Sequence, residues 1–315
     1  MTADTFEASL LWKSTLSEAK WSDQSNNESL FAGKLRESYR SLQLRTKEIL
    51  GAISHELPGY TIHDIRHSNA LWDCADLLIG AEHDYNPAEV YVLGASFLLH
   101  DAGMALASYP MNQQEICNKD LWQDLAAHAS WKIFNKACAP MQFESLAPEV
   151  IKMANQEFLR LNHASHAETL CELSFGETKL IEDSQLCAAF GNVIGKISHS
   201  HWWPVGKVQE TFPHSLGACP FGPTKWRIDP MKIALLLRAC DAIQIDARRA
   251  PSEVVPFPRT GQSLSFTRAD LLQIDLALDN QVTSVYVRHC SSQCIPTVPS
   301  PLIACFYIRR FRVRS

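Results

Sequence analysis

The chain has 315 residues, of which 46% are hydrophobic and 20% are charged, and its formal net charge is −5. This length and composition suffice for a globular protein with a substantial core. The acidic balance argues against a polybasic surface, so we expect neither an extended nucleic-acid surface nor membrane attachment. No secretory signal and no apolar stretch of membrane-spanning length is visible, which predicts a cytoplasmic protein.

The first 250 residues carry a helical pattern. Residues 1–32 are polar and predict a weakly structured N-terminal arm. Apolar residues at helical spacing then begin at Gly33, and Pro58 ends that helix. Thr61 is the predicted N-cap of the next helix, and Pro87 opens the one after it. Further helices are predicted near residues 61–80, 87–107, 120–138, 147–159, 162–174, 184–199 and 230–248.

A loop rich in Trp, Pro and Gly is predicted over residues 202–226, between the last two helices. Strand-like alternation is nearly absent before residue 260. We therefore expect residues 33–251 to form one all-α helical bundle.

Residues 252–315 differ in composition from the rest. Prolines accumulate, no acidic residue follows Asp279, and the chain ends in a basic segment. Residues 282–287 and 303–313 are compatible with strands of a small sheet. We expect an irregular or partly β tail, and two explanations stay open: a poorly packed segment, or a truncated or frameshifted remnant. Translating the other frames of the coding DNA distinguishes them.

Five separated positions carry side chains that suit a divalent metal. Each lies in or at the edge of a predicted helix and supplies an imidazole nitrogen or a carboxylate oxygen. They are His67, the pair His100–Asp101, His163, His201 and Asp241.

The pair His100–Asp101 follows a nearly continuous apolar run, residues 90–99. Burial of an unpaired carboxylate costs several kcal/mol, so Asp101 needs a partner, and a metal ion is the strongest available. A structural hydrogen-bonded pair is the alternative. His63 and His67 are four residues apart and share a helical face, so His63 is a further candidate ligand. For these two, a pair of solvated histidines is the alternative.

Spacing also separates the later histidines. His163 and His166 share a helical face, whereas His199 and His201 point about 200° apart on a helix and cannot both face one site. We choose His201, which aromatic residues follow.

Asp241 ends another apolar run, and Arg238 and Arg248 lie on nearly the same helical face. Two guanidinium groups beside a carboxylate ligand suit a phosphorylated substrate. A plain Asp–Arg ion pair is the alternative.

These residues resemble the HD superfamily of metal-dependent phosphohydrolases over about residues 55–251. The matching elements are His67 in Arg-His-Ser, His100-Asp101 in Leu-Leu-His-Asp-Ala-Gly-Met, and Asp241 in Leu-Arg-Ala-Cys-Asp. More narrowly, Arg160-x-x-His163, Ile197-x-x-x-His201 and Asp246-Ala-Arg-Arg-Ala-Pro resemble the HD-type domain that is often encoded in front of a GHKL-type ATPase domain.

The resemblance implies a helical bundle in which His67, His100, Asp101 and Asp241 hold one divalent cation. It also implies that His163 and His201 bind a second metal or contact phosphate. Two departures are visible. The tail does not continue as such proteins do and contains no ATPase motif, and the Gly-Tyr-Pro element of cyclic-di-nucleotide phosphodiesterases is missing.

The sequence therefore predicts a phosphohydrolase that acts on a nucleotide or related phosphorylated small molecule with one or two ions of Mn, Fe, Co, Ni, Zn or Mg. Asp101 is the predicted bridge between the metals, and His163 and His201 are second-metal ligands or general acid/base groups. Candidate phosphate contacts are Arg66, Arg248 and Arg249. The alternative is a regulatory module that binds a nucleotide or metal without turnover and is partnered with an ATPase.

Overall fold

The computed structural model describes residues 6–22, 26–58, 60–135, 145–212 and 215–245. Within these ranges the protein is a helical bundle, and its only sheet is a two-stranded antiparallel hairpin. The α-helices are α1 Leu10–Thr15, α2 Glu18–Trp21, α3 Asn27–Glu56, α4 Ile65–Ile79, α5 Pro87–Leu99, α6 Gln113–Ile116, α7 Asp120–Phe134, α8 Pro148–Ala167, α9 Ser184–Ser200, α10 Val205–Thr211 and α11 Pro230–Ile243.

The remaining elements are short. Strand β1, Ser174–Phe175, pairs with β2, Thr178–Lys179, and Gly176 between them has a φ of 66°, which favours glycine. Turns of 3₁₀ helix occupy Phe6–Ala8, Ala102–Met104 and Leu106–Ser108. The all-α prediction is confirmed for the described residues. The predicted tail lies outside them.

Helix α5 is the centre of the bundle. Every residue from Pro87 to Leu99 is buried, because the helix packs against α3, α4, α9 and α11. Asn86 caps its N-terminus by accepting from two backbone amides, and Glu89 completes a capping box with the amide of Asn86. A helix of 13 residues that is buried on every side forms part of a protein core. It therefore carries the residues that follow Leu99 into the interior.

A second, smaller apolar cluster lies between α7 and α8. Trp122 of α7 and Phe158 of α8 are its largest buried residues, with Tyr109 from the preceding segment. The Trp122 indole also donates to Asn155 of α8 over 2.7 Å. These contacts attach α7 to α8, whose other side faces the interior of the bundle.

The expectation of a weakly structured N-terminal arm over residues 1–32 is wrong for residues 6–22, and α3 begins at Asn27 rather than at Gly33. Leu11, Trp12 and Leu16 are buried in the main core, and Trp12 packs edge-on to Trp72 at a ring distance of 5.8 Å. A few large apolar side chains in this polar stretch suffice to attach it, since burial of each contributes roughly 1.5–3 kcal/mol.

Other predicted element bounds are also wrong, including the ends of α7 at Phe134 and of α11 at Ile243. The N-cap of α4 is Asp64, not Thr61, and its carboxylate accepts from the Arg66 amide. The predicted helix 87–107 ends at Leu99 and continues as 3₁₀ turns. The two helices predicted over 147–174 are the single helix α8, and the predicted loop 202–226 contains α10.

In the described ranges, no helix combines the length and the apolar character that a bilayer crossing requires.

Candidate metal centre

Five helices deliver the predicted ligands to one point in the interior. His67 lies in the first turn of α4, His100 and Asp101 directly follow α5, and His163 lies on α8. His201 directly follows α9, and Asp241 lies on α11. His67, His100 and His163 are each 1% exposed and Asp101 is 4% exposed, so the cluster lies inside the bundle.

One oxygen of Asp101 faces the first half of the cluster. Its Oδ2 lies 3.0 Å from Nε2 of His100 and 3.5 Å from Nε2 of His67. Nε2 of His67 in turn lies 3.6 Å from Oδ1 of Asp241. One donor atom from each of these four residues lies within 4.8 Å of all the others.

The other oxygen of Asp101 faces the second half. Its Oδ1 lies 3.7 Å from Nε2 of His163 and 3.7 Å from Nε2 of His201. Those two nitrogens are 3.1 Å apart, and the three donor atoms also fit within 4.8 Å. Asp101 is thus common to two groups of donors, one on each carboxylate oxygen.

The histidine rings are oriented by their Nδ1 atoms. In His100, Nδ1 donates to the carbonyl of Phe97 over 3.1 Å. In His163, Nδ1 donates to the carbonyl of Arg160 over 2.6 Å. In His201, Nδ1 donates to the carbonyl of Ser198 over 2.5 Å. A carbonyl oxygen only accepts, so Nδ1 carries the hydrogen, and in the neutral ring Nε2 presents its lone pair to the centre. Such outer contacts are typical of metal-binding imidazoles.

His67 has a side-chain partner instead. Its Nδ1 donates to Oε1 of Gln244 over 2.9 Å, and Gln244 is itself 1% exposed. Nothing in the sequence pattern pointed to Gln244, because it follows the end of α11 and carries no charge.

Protonation states in the cluster suit a cation. Burial lowers the pKa of His163, and burial together with His100 and His163 lowers the pKa of His201 to about 3. Burial alone raises the pKa of Asp101, but His100 and His63 outweigh it and hold that pKa well below its usual range. His163 and His201 are therefore neutral and Asp101 is ionised at neutral pH, the forms in which these side chains bind metals.

The donor set fits a divalent metal ion. Imidazole nitrogens and carboxylate oxygens together suit Mn, Fe, Co, Ni and Zn, and Mg favours oxygen. Four buried or nearly buried imidazoles direct Nε2 towards the carboxylate of Asp101, and the Nδ1 atoms of three of them donate to backbone carbonyls. The cluster could hold such an ion.

His63 lies beside the cluster, but not for the predicted reason. It precedes α4, so it does not share a helical face with His67. Its Nδ1 donates to the Thr61 carbonyl over 2.6 Å, and its Nε2 lies 3.7 Å from Oδ2 of Asp101.

Two other histidines point away. His166 stacks on Tyr109 at 3.7 Å and lies 3.0 Å from the Ser108 carbonyl, and burial lowers its pKa to about 4. His199 forms a 2.6 Å contact with Glu168 on the opposite side of α9.

The arginines are placed differently from one another. Arg66 is half-exposed and paired with Asp64 at 2.8 Å. Arg238 donates to the carbonyl of Ser200, the last residue of α9, and so supports the segment that carries His201. Arg248 and Arg249 lie outside the described residues.

Two glycines, whose role sequence reasoning missed, allow the helices to meet. A Cβ atom on Gly103 would lie 2.4 Å from the His163 carbonyl oxygen, and one on Gly195 would lie 2.1 Å from that of Glu168. Both clashes are with backbone of the α8 region, so at these two positions the 3₁₀ turn Ala102–Met104 and α9 lie too close to α8 for a side chain. The sequence signal for this close approach was the position of Gly103, two residues after the candidate ligand Asp101.

Residues 57–295 match the HD-CE family, which is most of the chain. The chain belongs to the HD-CE family. This confirms the predicted membership of the HD superfamily. The HD-CE match includes residues 252–295, and the predicted division of the chain at residue 251 stays a prediction. No curated protein and no solved structure matches the chain.

Proposed function

We propose that this HD-CE protein is a metal-dependent phosphohydrolase that acts on a nucleotide or a related phosphorylated small molecule. The observation that carries the proposal is the position of Asp101 between two groups of imidazoles, one at each of its carboxylate oxygens. Divalent ions held by these two groups of donors would supply the charge stabilisation and the acidified water that hydrolysis of a phosphoester needs.

Each residue then has a role. His67, His100, Asp101 and Asp241 would hold the first ion, and the second oxygen of Asp101 faces His163 and His201. His163 and His201 bind a second ion or, with a single ion bound, serve as general acid and base. The bound cation supplies an acidified water and a polarised phosphoryl oxygen. Gln244 and the carbonyls that accept from Nδ1 keep the rings oriented.

Three finer statements remain part of this proposal. The ions are Mn, Fe, Co, Ni or Zn, with Mg less suited to histidine donors. Arg66, Arg248 and Arg249 contact phosphate. The protein acts in the cytoplasm, and an ATPase is its partner.

The experiment is phosphate release from a panel of nucleotides by Mn-treated full-length protein. We expect release from at least one nucleotide, and Asp101→Asn lowers it by more than about 100-fold, because both groups of donors lose the shared carboxylate. Asp124→Asn, at an exposed position on α7, is the matched control and leaves the rate unchanged. Circular dichroism verifies that both variants fold.

Bound metal without release from any nucleotide contradicts hydrolysis and supports the regulatory module instead. Equal release by wild type and Asp101→Asn contradicts the assigned centre.

A further inference from the structure

An arginine and a tyrosine stack at the edge of the metal centre. The guanidinium of Arg160 lies 4.7 Å from the centre of the Tyr60 ring, and its NH1 donates to the Tyr60 hydroxyl over 3.2 Å. Arg160 is three residues before His163, and Tyr60 is three residues before His63. The stack therefore joins the two segments whose histidines approach opposite oxygens of Asp101.

The Arg160 guanidinium is free to bind an anion. The residue is exposed, and no carboxylate of the described ranges pairs with it. One of its five N–H donors contacts Tyr60, and the planar fork suits a phosphate, which it binds through two parallel hydrogen bonds. Stacking on Tyr60 fixes the fork in advance and so reduces the entropy lost on binding.

An exposed tryptophan lies beside the same histidine. Trp202 is 57% exposed, and its ring meets the His163 ring edge to face at a distance of 4.9 Å. It directly follows His201. Its indole therefore touches the centre on one side and is open to solvent elsewhere. Exposed aromatic side chains can stack on nucleobases with little preference for the base.

We propose that Arg160, held by Tyr60, and Trp202 form the substrate-binding rim of this site and select a nucleotide. Arg160 binds phosphate oxygens, and Trp202 stacks on the base. The inference rests on the proposed hydrolytic function and specifies its substrate class through residues of this chain. A sugar phosphate without a base uses only Arg160.

The test measures binding rather than turnover. Wild-type full-length protein with Mn is titrated calorimetrically with the methylene phosphonate isosteres of AMP and of ribose 5-phosphate, which resist hydrolysis. We expect the AMP isostere to bind about tenfold more tightly, the contribution of one stacked base.

Variants of Trp202 distinguish the contribution of the base to binding from that of the phosphate. Trp202→Ala weakens binding of the AMP isostere about tenfold and leaves the ribose isostere unchanged, and Trp202→Phe retains most of the difference. Trp131→Ala is the matched control, because Trp131 on α7 is also 57% exposed. Equal binding of the two isosteres by wild type overturns the role of Trp202.

The Arg160 variants test the phosphate. Arg160→Gln weakens both isosteres about tenfold, and Arg160→Lys restores part of the loss because it keeps the charge without the fork. Arg227→Gln, at an exposed position, changes neither. If Arg160→Gln lowers only the unfolding temperature and leaves both affinities intact, the stack is a structural contact and the proposal is overturned.

The two proposals fail separately. The predicted binding pattern with no phosphate release from any nucleotide contradicts hydrolysis and supports the rim. Phosphate release that depends on Asp101, combined with affinities that the Trp202 and Arg160 variants do not change, supports hydrolysis and overturns the proposed substrate-binding rim.

Discussion

Gly103 sets how closely Asp101 and His163 approach each other. It lies two residues after Asp101, and the backbone of His163 occupies the space where its side chain would be. A larger residue would force α8 outwards, and His163 would move away from Oδ1 of Asp101. The second half of the cluster therefore depends on the absence of one Cβ atom.

We expect Gly103→Ala to lower the free energy of unfolding by about 1–3 kcal/mol, as overpacking of a close contact does. We also expect weaker metal binding at the His163–His201 half, because α8 carries His163. Denaturant unfolding and metal titration measure the two effects.

The control for this change is Gly51→Ala on α3, where a Cβ meets nothing within 4 Å. There the substitution raises stability by roughly 0.5–1 kcal/mol, since alanine favours helix. Equal stability effects at the two glycines would contradict the close-contact explanation.

Residue patterns predicted part of this centre. Helical spacing showed that His199 and His201 cannot both face one site, and the aromatic residues after His201 decided the choice. In the structure His201 lies beside Asp101 and His163. The same reasoning placed His63 on a helical face that does not exist, since α4 begins at Ile65. Gln244 could not be found, because only the fold brings it to His67, 177 positions away in sequence.

At the scale of elements, one carboxylate of α4 binds the N-terminus of α1, in addition to the apolar contacts of Leu11, Trp12 and Leu16. Asp76 accepts from the Ser9 hydroxyl over 2.9 Å, from the Leu10 amide over 2.7 Å and from the Leu11 amide over 2.9 Å. These amides lie at the start of α1, where backbone donors have no partner within the helix. Asp76 thus satisfies the N-terminus of one helix from the side of another.

We expect Asp76→Ala to lower the free energy of unfolding by roughly 2–3 kcal/mol, because three hydrogen bonds to a charged acceptor are lost. The segment 6–22 should also become sensitive to trypsin at Lys13 and Lys20. Limited proteolysis with mass spectrometry measures this.

Asp124→Ala on α7 serves as the control for this helix-anchoring role. If Asp76→Ala and Asp124→Ala are cleaved at the same rate in residues 6–22, Asp76 does not hold the N-terminal helix.

The elements differ in how well the sequence specified them. Helix α5 was predictable, because Pro87 opens it and an apolar run fills it. The first helices were not, since Leu11, Trp12 and Leu16 are few among polar residues and become decisive only against the core. The join of two predicted helices into α8 likewise depends on packing against α7 and α9.

At the scale of the molecule, the helical bundle brings residues that are far apart in the sequence into one cluster. His67 and Asp241 are 174 residues apart in sequence, yet their donor atoms lie 3.6 Å apart. The order of histidines and aspartates predicted that they meet. It did not predict which oxygen of Asp101 faces which group, because that depends on the backbone after α5 and on the approach of α8 and α9.

The measurement that tests the shared carboxylate most directly is elemental analysis of the full-length protein after Mn loading and dialysis. Wild type should retain one or two ions per chain, and Asp101→Asn should lose bound metal, because both groups of donors depend on that side chain. His128→Gln, at an exposed position on α7, should retain what wild type retains. A wild-type protein that retains no metal, or Asp101→Asn that retains as much as wild type, would contradict the account.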